Sequence, residues 1–350
     1  NALKLLNEKG EFISGEEGQK ILKIAENEDF DFAEVDDLGN YTTYETAIDE
    51  HIDMILDLPL VNREAIAAKN FKVVIDAVNS TGGIAIPKLL DKLNVEYVKL
   101  YCDPTGHFPH NPEPLKEHLT DISNKVVESK ADFGIVVDPD VDRLAIINED
   151  GSMFGEEYTL VAVADYVLSK TPSATVSNLS SSRALRDVTQ KHDQNYQPSA
   201  VGEVNVVLKM KELGAKIGGE GNGGIIYPEL HYGRDSLVGI ALFLSHLAEQ
   251  NISVKALRDS YPAYFMAKEK IELTPEIDVD ELLIKIQEVY KDEEINTVDG
   301  VKIDFENEWV HLRKSNTEPI IRIYTESTSE ENATVLAEKM ITSIKNIINK

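Results

Sequence analysis

The 350-residue chain has a single cysteine, Cys102, and few positive charges, 35 Lys and Arg against 62 Asp and Glu. One cysteine excludes an intrachain disulfide and a thiolate zinc cluster, and it suits a reducing compartment. A formal net charge of -27 argues against a partner bound through its phosphate backbone, because that affinity comes from releasing counterions to clustered cations. No nucleic acid is expected. If the ligand is itself an anion, the positive charge that holds it has to be concentrated locally against the global field, which makes the few clustered arginines informative. No apolar run approaches the roughly 18 residues of a membrane span, and no charged-then-apolar leader opens the sequence, so a cytoplasmic protein without a membrane partner is expected. The 42% hydrophobic content is enough for two to four domains at roughly 100–200 residues each.

The order of periodic segments divides the chain. A helical pattern over residues 16–28 leads through the acidic "DFDFAEVDDLGN" to a second helix over 44–56, with Ile48, Ile52, Met54 and Ile55 as its core face. At Phe71 the character changes to strand, glycine-containing turn, helix and strand, "FKVVIDA", "NSTGG", a helix running through Pro87, and "VEYVKLY", which is a βαβ unit. A helix over 113–129 and the strand "DFGIVVD" continue it. The alternation resumes near Ala174 with "ATVSNL", a helix from Ser182, a helix over "GEVNVVLKMKELG", the glycine-rich "GGEGNGG" and a long helix after Asp235. From Tyr264 the order is strand, helix over 279–290, short strands and a final helix from Ser329, an α+β pattern. The expected architecture is α/β and multidomain. Two consecutive α/β domains with mixed sheets, 69–170 and 171–262, are followed by a C-terminal α+β domain, 263–350, and preceded by the remnant of a further α/β domain, 1–68.

Three loops carry candidate chemistry. "GIVVDPDVDRLAIINEDG" places Asp138, Asp140 and Asp142 on alternating positions after an apolar strand, with Arg143 next. Open α/β sheets bind ligands at the carboxyl ends of their strands. Hard divalent cations take oxygen ligands, and Mg²⁺ uses one or two carboxylates with phosphate oxygens and water, so the three aspartates are candidate ligands for one ion. An acidic solvated turn is the bland alternative, weakened because close carboxylates repel unless a cation relieves them. A calcium EF-hand needs glycine at its sixth position, where Arg143 stands. Arg143 is instead a candidate phosphate contact. The second loop, 218–224, combines glycines that let backbone approach a ligand with Glu220 and Asn222, which have the donors and acceptors that fix sugar hydroxyls. A plain flexible turn fits as well. The third, "RKSNTEPIIR", offers the forked donors of Arg313 and Arg322 with Ser315, Asn316 and Thr317 in the turn, a phosphate cradle or else a charged hairpin. Arg234, in "HYGRDS", either contacts substrate or pairs near the following helix, and His231 beside it reads as structural.

These residues resemble the α-D-phosphohexomutases: phosphoglucomutase, phosphomannomutase and phosphoglucosamine mutase. The family's D-x-D-x-D-R metal loop is matched by Asp138, Asp140, Asp142 and Arg143. Its G-E-x-S/N-G sugar loop is matched by Gly219, Glu220, Asn222 and Gly223. Its R-x-S-N-T-E-P-x-x-R phosphate loop is matched by Arg313, Ser315, Asn316, Thr317, Glu318, Pro319 and Arg322. The resemblance spans essentially the whole chain, "HFPHNPEP" at 107–114 included. It implies a four-domain protein with a central cleft that interconverts hexose 6-phosphate and hexose 1-phosphate. A phosphoserine would donate its phosphoryl group, a bisphosphorylated hexose would turn over in the cleft, and one Mg²⁺ would sit on the aspartates. A monomer or homodimer is expected.

Two departures matter. In the family the serine lies in T-A-S-H-N-P, shortly before an N-G-x-K segment that "NALK" at 1–4 resembles with Ala2 for glycine. No Ser-His-Asn-Pro occurs in the chain. The nucleophile is therefore expected upstream of Asn1, and Lys4 is the catalytic candidate left from the first domain, as general acid/base or phosphate clamp. Many bacterial members have histidine where this chain has Gly224, and "GGEGNGG" is similar to the archaeal-type phosphoglucosamine mutase variant, which tilts the expectation from mannose or glucose phosphate toward glucosamine phosphate. Two other readings stay open. One is a non-catalytic sugar-phosphate-binding protein. The other is a haloacid-dehalogenase-type phosphatase with Asp138 as nucleophile, since an apolar strand followed by Asp-x-Asp opens that class too.

Overall fold

The computed structural model describes residues 3–273, 277–315 and 320–348. Helix α1 (Gly15–Glu26) opens on a capping box, in which Ser14 accepts from the Glu17 N–H and Glu17 reaches back to Ser14, and it buries none of its residues. Helix α2 (Ala47–Leu56) buries Ile52, Ile55 and Leu56, and α3 (Arg63–Lys69) follows it. Met54, expected in the core face of α2, is 56% exposed. It stands two residues from Ile52, about 200° round the helix, so it points away from the stripe formed by positions 52, 55 and 56.

The next two units repeat one topology. In the first, β1 (Lys72–Asp76), α4 (Gly82–Lys92), β2 (Glu96–Leu100), α5 (Thr120–Ser129), β3 (Phe133–Val137) and β4 (Leu144–Asn148) give the order β2-β1-β3-β4. Its first three strands are parallel, and β4 returns antiparallel on β3. Helix α5 is shorter than the expected 113–129. Pro114 disfavours helical backbone at Glu113, and only a 3₁₀ turn, Lys116–His118, precedes it. Helix α6 (Glu156–Lys170) then leads to β5 (Thr175–Asn178), α7 (Ala184–Lys191), β6 (Tyr196–Ser199), α8 (Glu203–Leu213), β7 (Ile217–Glu220) and β8 (Gly224–Ile226), ordered β6-β5-β7-β8 in the same mixed pattern. Sequence reasoning passed over β6, a four-residue strand containing Pro198. Its place at the sheet edge is the one that tolerates a missing N–H.

Helix α6 and the long α9 (Ser236–Gln250) bury most of their residues, as expected of helices apolar all round, and the short α10 (Val254–Asp259) that follows buries Val254 and Leu257. They join Phe133 and Ile146 of one sheet and Ile217 and Ile225 of the other into a single core. The C-terminal unit has its own core. It comprises β9 (Phe265–Glu272), α11 (Val279–Val289), β10 (Glu294–Asn296), β11 (Val301–Asp304), β12 (Trp309–Lys314), β13 (Ile320–Ser327) and α12 (Glu330–Ile348), with an antiparallel sheet ordered β10-β11-β12-β13-β9. Polar anchors dock it on the second α/β unit. The Arg183 guanidinium, 4% exposed, donates to the carbonyls of Glu306 (3.1 Å) and Glu308 (2.9 Å). Lys302 lies over the Trp309 ring at 4.2 Å and donates to the Leu179 carbonyl at 3.0 Å.

Candidate functional site

All three loops are strand-to-strand connections, and the first two occupy equivalent places in the repeated units, between the third parallel strand and its antiparallel return. Strand β3 is buried along its length and ends by delivering Asp138, itself 6% exposed. Asp138 Oδ1 accepts the backbone N–H of Asp142 (3.0 Å) and of Arg143 (3.1 Å), which folds the loop back over it. Val141 takes φ +60, a strained conformation for a β-branched residue. Its N–H donates to the Asp138 carbonyl at 3.2 Å, and its own carbonyl accepts from Ser236 N–H at 3.0 Å. The ligand atoms of Asp138, Asp140 and Asp142 come within 4.8 Å of one another. Burial, with the charges of Asp142 and Asp140, pushes the Asp138 carboxyl up to about 7. Asp142 Oδ1 is buried without a hydrogen-bond partner. Crowded oxygen donors with one orphaned lone-pair set fit a hard divalent cation.

Cations of the chain partly relieve that crowding. Lys4 Nζ contacts Asp140 and lies 3.3 Å from Asp142 Oδ2. Burial works against the ammonium of Lys4, but the two aspartates outweigh it and raise its pKa. The same contact lowers Asp140 despite that residue's own burial. Arg143 turns to carboxylates: Nη1 donates to Glu113 Oε1 at 3.1 Å and Nε lies 3.7 Å from Asp138 Oδ2.

The second loop is locked to the first. Leu144 N–H donates to the Gly223 carbonyl at 3.0 Å, and Gly223 has φ +86 with space for no side chain, since a Cβ there would lie 2.3 Å from the Leu144 carbonyl oxygen. Arg234 bridges the two loops. Its Nη2 donates to Asp142 Oδ2 (2.7 Å), Nη1 to Glu220 Oε2 (2.9 Å) and Nε to Glu203 Oε2 (2.8 Å). Glu220 is 6% exposed, and its other oxygen accepts from Asn178 Nδ2 (2.9 Å) and Gly202 N–H (3.3 Å). Its carboxylate is thus spent on protein donors, while Asn222 stays in the turn with Oδ1 accepting from Gly224 N–H at 3.3 Å. Beneath the turn lies Glu157 of α6, whose carboxylate would meet a Cβ on Gly221 at 2.0 Å. Burial holds its carboxyl well above the usual range.

In the third loop Arg313 and Arg322 are direct partners across the β12–β13 ladder. Like charges placed opposite one another are unfavourable unless an anion lies between or beside them. Arg313 Nε is 2.9 Å from Asp299 Oδ2, and that same oxygen accepts from Val201 N–H at 2.9 Å, next to Gly202. Ser315 N–H donates to the Ile320 carbonyl at 3.1 Å. Asn316 and Thr317, expected in this cradle, lie outside the described residues, as do Glu318 and Pro319. A continuous polar chain therefore runs Arg313, Asp299, Val201–Gly202, Glu220, Arg234, Asp142, Lys4. It joins the three loops and the start of the chain.

Residues 49–151 match the model described as phosphoglucomutase/phosphomannomutase, alpha/beta/alpha domain II, residues 155–264 its domain III, and residues 271–343 its C-terminal domain. The chain is 34% identical over 337 residues to a phosphoglucomutase/phosphomannomutase of Thermococcus kodakarensis, covering 95% of this chain and 73% of that one. The chain belongs to the phosphoglucomutase/phosphomannomutase family. It is also 30% identical over 355 residues to a protein of Methanopyrus kandleri named as a probable phosphoglucosamine mutase, covering 100% of this chain and 77% of the relative. Among solved structures, a phosphoglucomutase/phosphomannomutase family protein of Burkholderia thailandensis superposes with a TM-score of 0.82 at 25% identity, covering 96% of this chain and 71% of that one. The α/β fold with mixed sheets in consecutive domains is the phosphohexomutase fold.

Against this family background, the structure brings Lys4, Asp138, Asp140, Asp142, Arg143, Glu220 and Arg234 into one contact network and places Arg313 and Arg322 side by side at its far end. It also adds residues that sequence reasoning missed. Glu203 was hidden because an acidic residue in a helix's first turn reads as a complement to the helix dipole. Asp299, before Gly300, reads as an ordinary turn residue. No local pattern marks Asn178 or Glu157.

Proposed function

We propose that this chain forms the metal, sugar and phosphate walls of a phosphohexomutase cleft that interconverts hexose 6-phosphate and hexose 1-phosphate by way of a phosphoserine and a bisphosphorylated hexose. Glucosamine phosphate is the preferred substrate ahead of mannose and glucose phosphates. With the chain divided at 68, 170 and 262, each of the last three units supplies one loop. The observation that carries the reading is the polar chain from Arg313 to Lys4, which couples three loops of distinct chemistry.

Asp138, Asp140 and Asp142 would hold one Mg²⁺, whose charge, when bound, stabilises the negative charge spread over a phosphoryl group in transfer. Lys4 lies against two of those aspartates, where its ammonium is positioned to neutralise or protonate a phosphoryl oxygen. Arg143 is oriented by Glu113 toward the same loop. Asn222 reads the sugar hydroxyls, while Glu220 and Arg234 set the backbone that presents it. Arg313 and Arg322, with Ser315, Asn316 and Thr317, grip the phosphate that is not reacting. Positioning by both ends supplies much of the rate in phosphoryl transfer. The nucleophilic serine is none of the 350 residues, since its Ser-His-Asn-Pro context is absent from them. The alternative reading is a sugar-phosphate-binding protein without turnover.

The deciding experiment is intact mass and mutase assay on the protein isolated from its own source. A mass above 39.0 kDa with a phosphorylatable Ser-His-Asn-Pro segment, and Mg²⁺-dependent conversion of glucosamine 6-phosphate, supports the mutase. A 39.0 kDa protein that binds hexose phosphates without converting them supports the binding protein. An aspartyl phosphate trapped on Asp138 overturns both.

A further inference from the structure

Outside the three loops, metal-binding chemistry gathers at one more place among the described residues. His51 projects from α2, and His231 and Asp235 come from the segment entering α9. The ligand atoms of the three lie within 4.8 Å of one another. Asp235 is 6% exposed and has divided its two oxygens. Oδ1 accepts from the N–H groups of Leu237 (2.7 Å) and Val238 (3.2 Å), which fixes the carboxylate plane. Oδ2 faces both imidazoles, 2.7 Å from His51 Nε2 and 3.1 Å from His231 Nε2. The backbones that carry these groups are anchored: Ile52 and Ile55 hold α2 in the core, His231 N–H donates to Tyr227 at 3.2 Å, and Asp235 N–H donates to Ile225 at 2.9 Å. The His51 and His231 side chains are 32% and 39% exposed, so the cluster opens to solvent on its histidine side.

We propose that His51, His231 and Asp235 form a second metal site, one for a borderline divalent transition ion of the Zn²⁺ class. Two imidazole nitrogens and one carboxylate oxygen are a donor set for Zn²⁺, Co²⁺ or Ni²⁺, whereas Mg²⁺ takes oxygens, so this site and the aspartate loop select different ions. Three protein ligands leave at least one position for water, and the open histidine side supplies it. The carboxylate already has its supporting hydrogen bonds, the histidine side is open to solvent, and the ligands converge before any ion binds, as a metal site requires. In the bound form each imidazole carries its remaining proton on Nδ1.

The site is structural in its consequence. The segment it ties to α2 includes Arg234, which bridges Asp142 and Glu220, and Ser236, whose N–H donates to the strained Val141 at 3.0 Å. An ion here tethers the piece of chain that holds the metal and sugar loops together, from a ligand set that shares no residue with the aspartate triad.

The test is titration of the chain with Zn²⁺, and separately with Co²⁺, in excess Mg²⁺ to keep the oxygen site filled. Readouts are bound metal per chain after gel filtration, the visible Co²⁺ spectrum and the thermal transition. One Zn²⁺ per chain, a Co²⁺ spectrum of a nitrogen-containing site of low coordination number, and a raised transition are expected. His51→Gln and His231→Gln should each weaken Zn²⁺ binding by about tenfold or more, at least the loss that follows removal of an outer partner of a ligand. The double variant should bind none, and Asp140→Asn should bind as the unmodified chain does. Both histidines are partly exposed, so the variants are compared after circular dichroism shows them folded. Equal Zn²⁺ affinity in the double variant, or no Zn²⁺ retained by the unmodified chain, overturns the proposal.

Discussion

Arg234 neutralises three carboxylates at once, and replacing it with methionine isolates that effect with little change in volume. Its side chain is 11% exposed, and those of Asp142, Glu203 and Glu220 are 13%, 9% and 8% exposed. Burial works against its charge, but Asp142, Glu220 and Glu203 outweigh that and raise its pKa. Removing one partner from a buried pair costs about 3–5 kcal/mol, because the other charge is left without compensation. At the lower end of the usual scaling, about 2 °C per kcal/mol for a large domain, Arg234→Met should lower the transition of the shared α/β core by roughly 6–10 °C at pH 7. The pH dependence gives the sharper test. Burial already raises the Glu203 carboxyl while Arg234 pulls it down, so in the variant it rises further above its unfolded value. The folded variant then binds a proton more tightly than the unfolded chain, and its deficit is largest above that raised value and shrinks as pH falls through it. Denaturant unfolding of both proteins from about pH 5 to pH 8 measures this. A loss below about 1 kcal/mol at neutral pH, or a deficit that grows toward acid, would refute the claim that Arg234 acts as the shared counter-charge of the two loops.

Three further outcomes are expected. Asp140→Ala, at a side chain 52% exposed, should change stability by no more than about 0.5 kcal/mol while abolishing the proposed Mg²⁺-dependent mutase activity of the protein isolated from its own source. Undiminished activity would remove Asp140 from the metal set. Asp299→Ala frees Arg313 from the carboxylate that orients it, and hexose phosphate binding by calorimetry should weaken about tenfold, or 1.4 kcal/mol, with the fold intact; unchanged affinity would leave Asp299 without a positioning role. His110 has its pKa raised by its hydrogen bond to the buried Asp76, against the effect of burial. Its stabilisation is therefore fully present below about 6.5 and is lost as pH rises through the raised folded value. The stability difference between the unmodified chain and His110→Gln should shrink over that rise, and a difference independent of pH would contradict the assignment.

The sequence shows most plainly what depends on short spacing. Asp138, Asp140 and Asp142 are legible because an apolar strand must end before a run of charge, and the end of a parallel strand is where such a loop is useful. Arg313 and Arg322 are legible as a pair because two successive strands of alternating character pair antiparallel and place them opposite each other. Met54 was misplaced because a helix face is set by 100° steps that simple adjacency to Ile52 and Ile55 ignores. Glu203 and Asp299 were invisible for a different reason. Glu203 lies 31 residues from Arg234, and Asp299 lies 98 from Val201, so their roles exist only after the units have folded and docked.

That distinction bears on how, on the proposed reading, a chain of net charge -27 would hold an anion. Its arginines at the site are already paired: Arg143 with Glu113, Arg234 with three carboxylates, Arg313 with Asp299. The buried pairs at Arg234 fix backbone, since no ligand group matches three simultaneous partners. The pair at Arg313 is different, with both side chains near a quarter exposed, at 22% and 24%, and with Arg322 directly across the ladder. On the proposed reading a phosphate there would meet two forked donors. Acidic partners thus hold the guanidiniums of Arg143, Arg234 and Arg313 in place, and on the proposed reading the anion would be taken at the Arg313–Arg322 end of the polar chain.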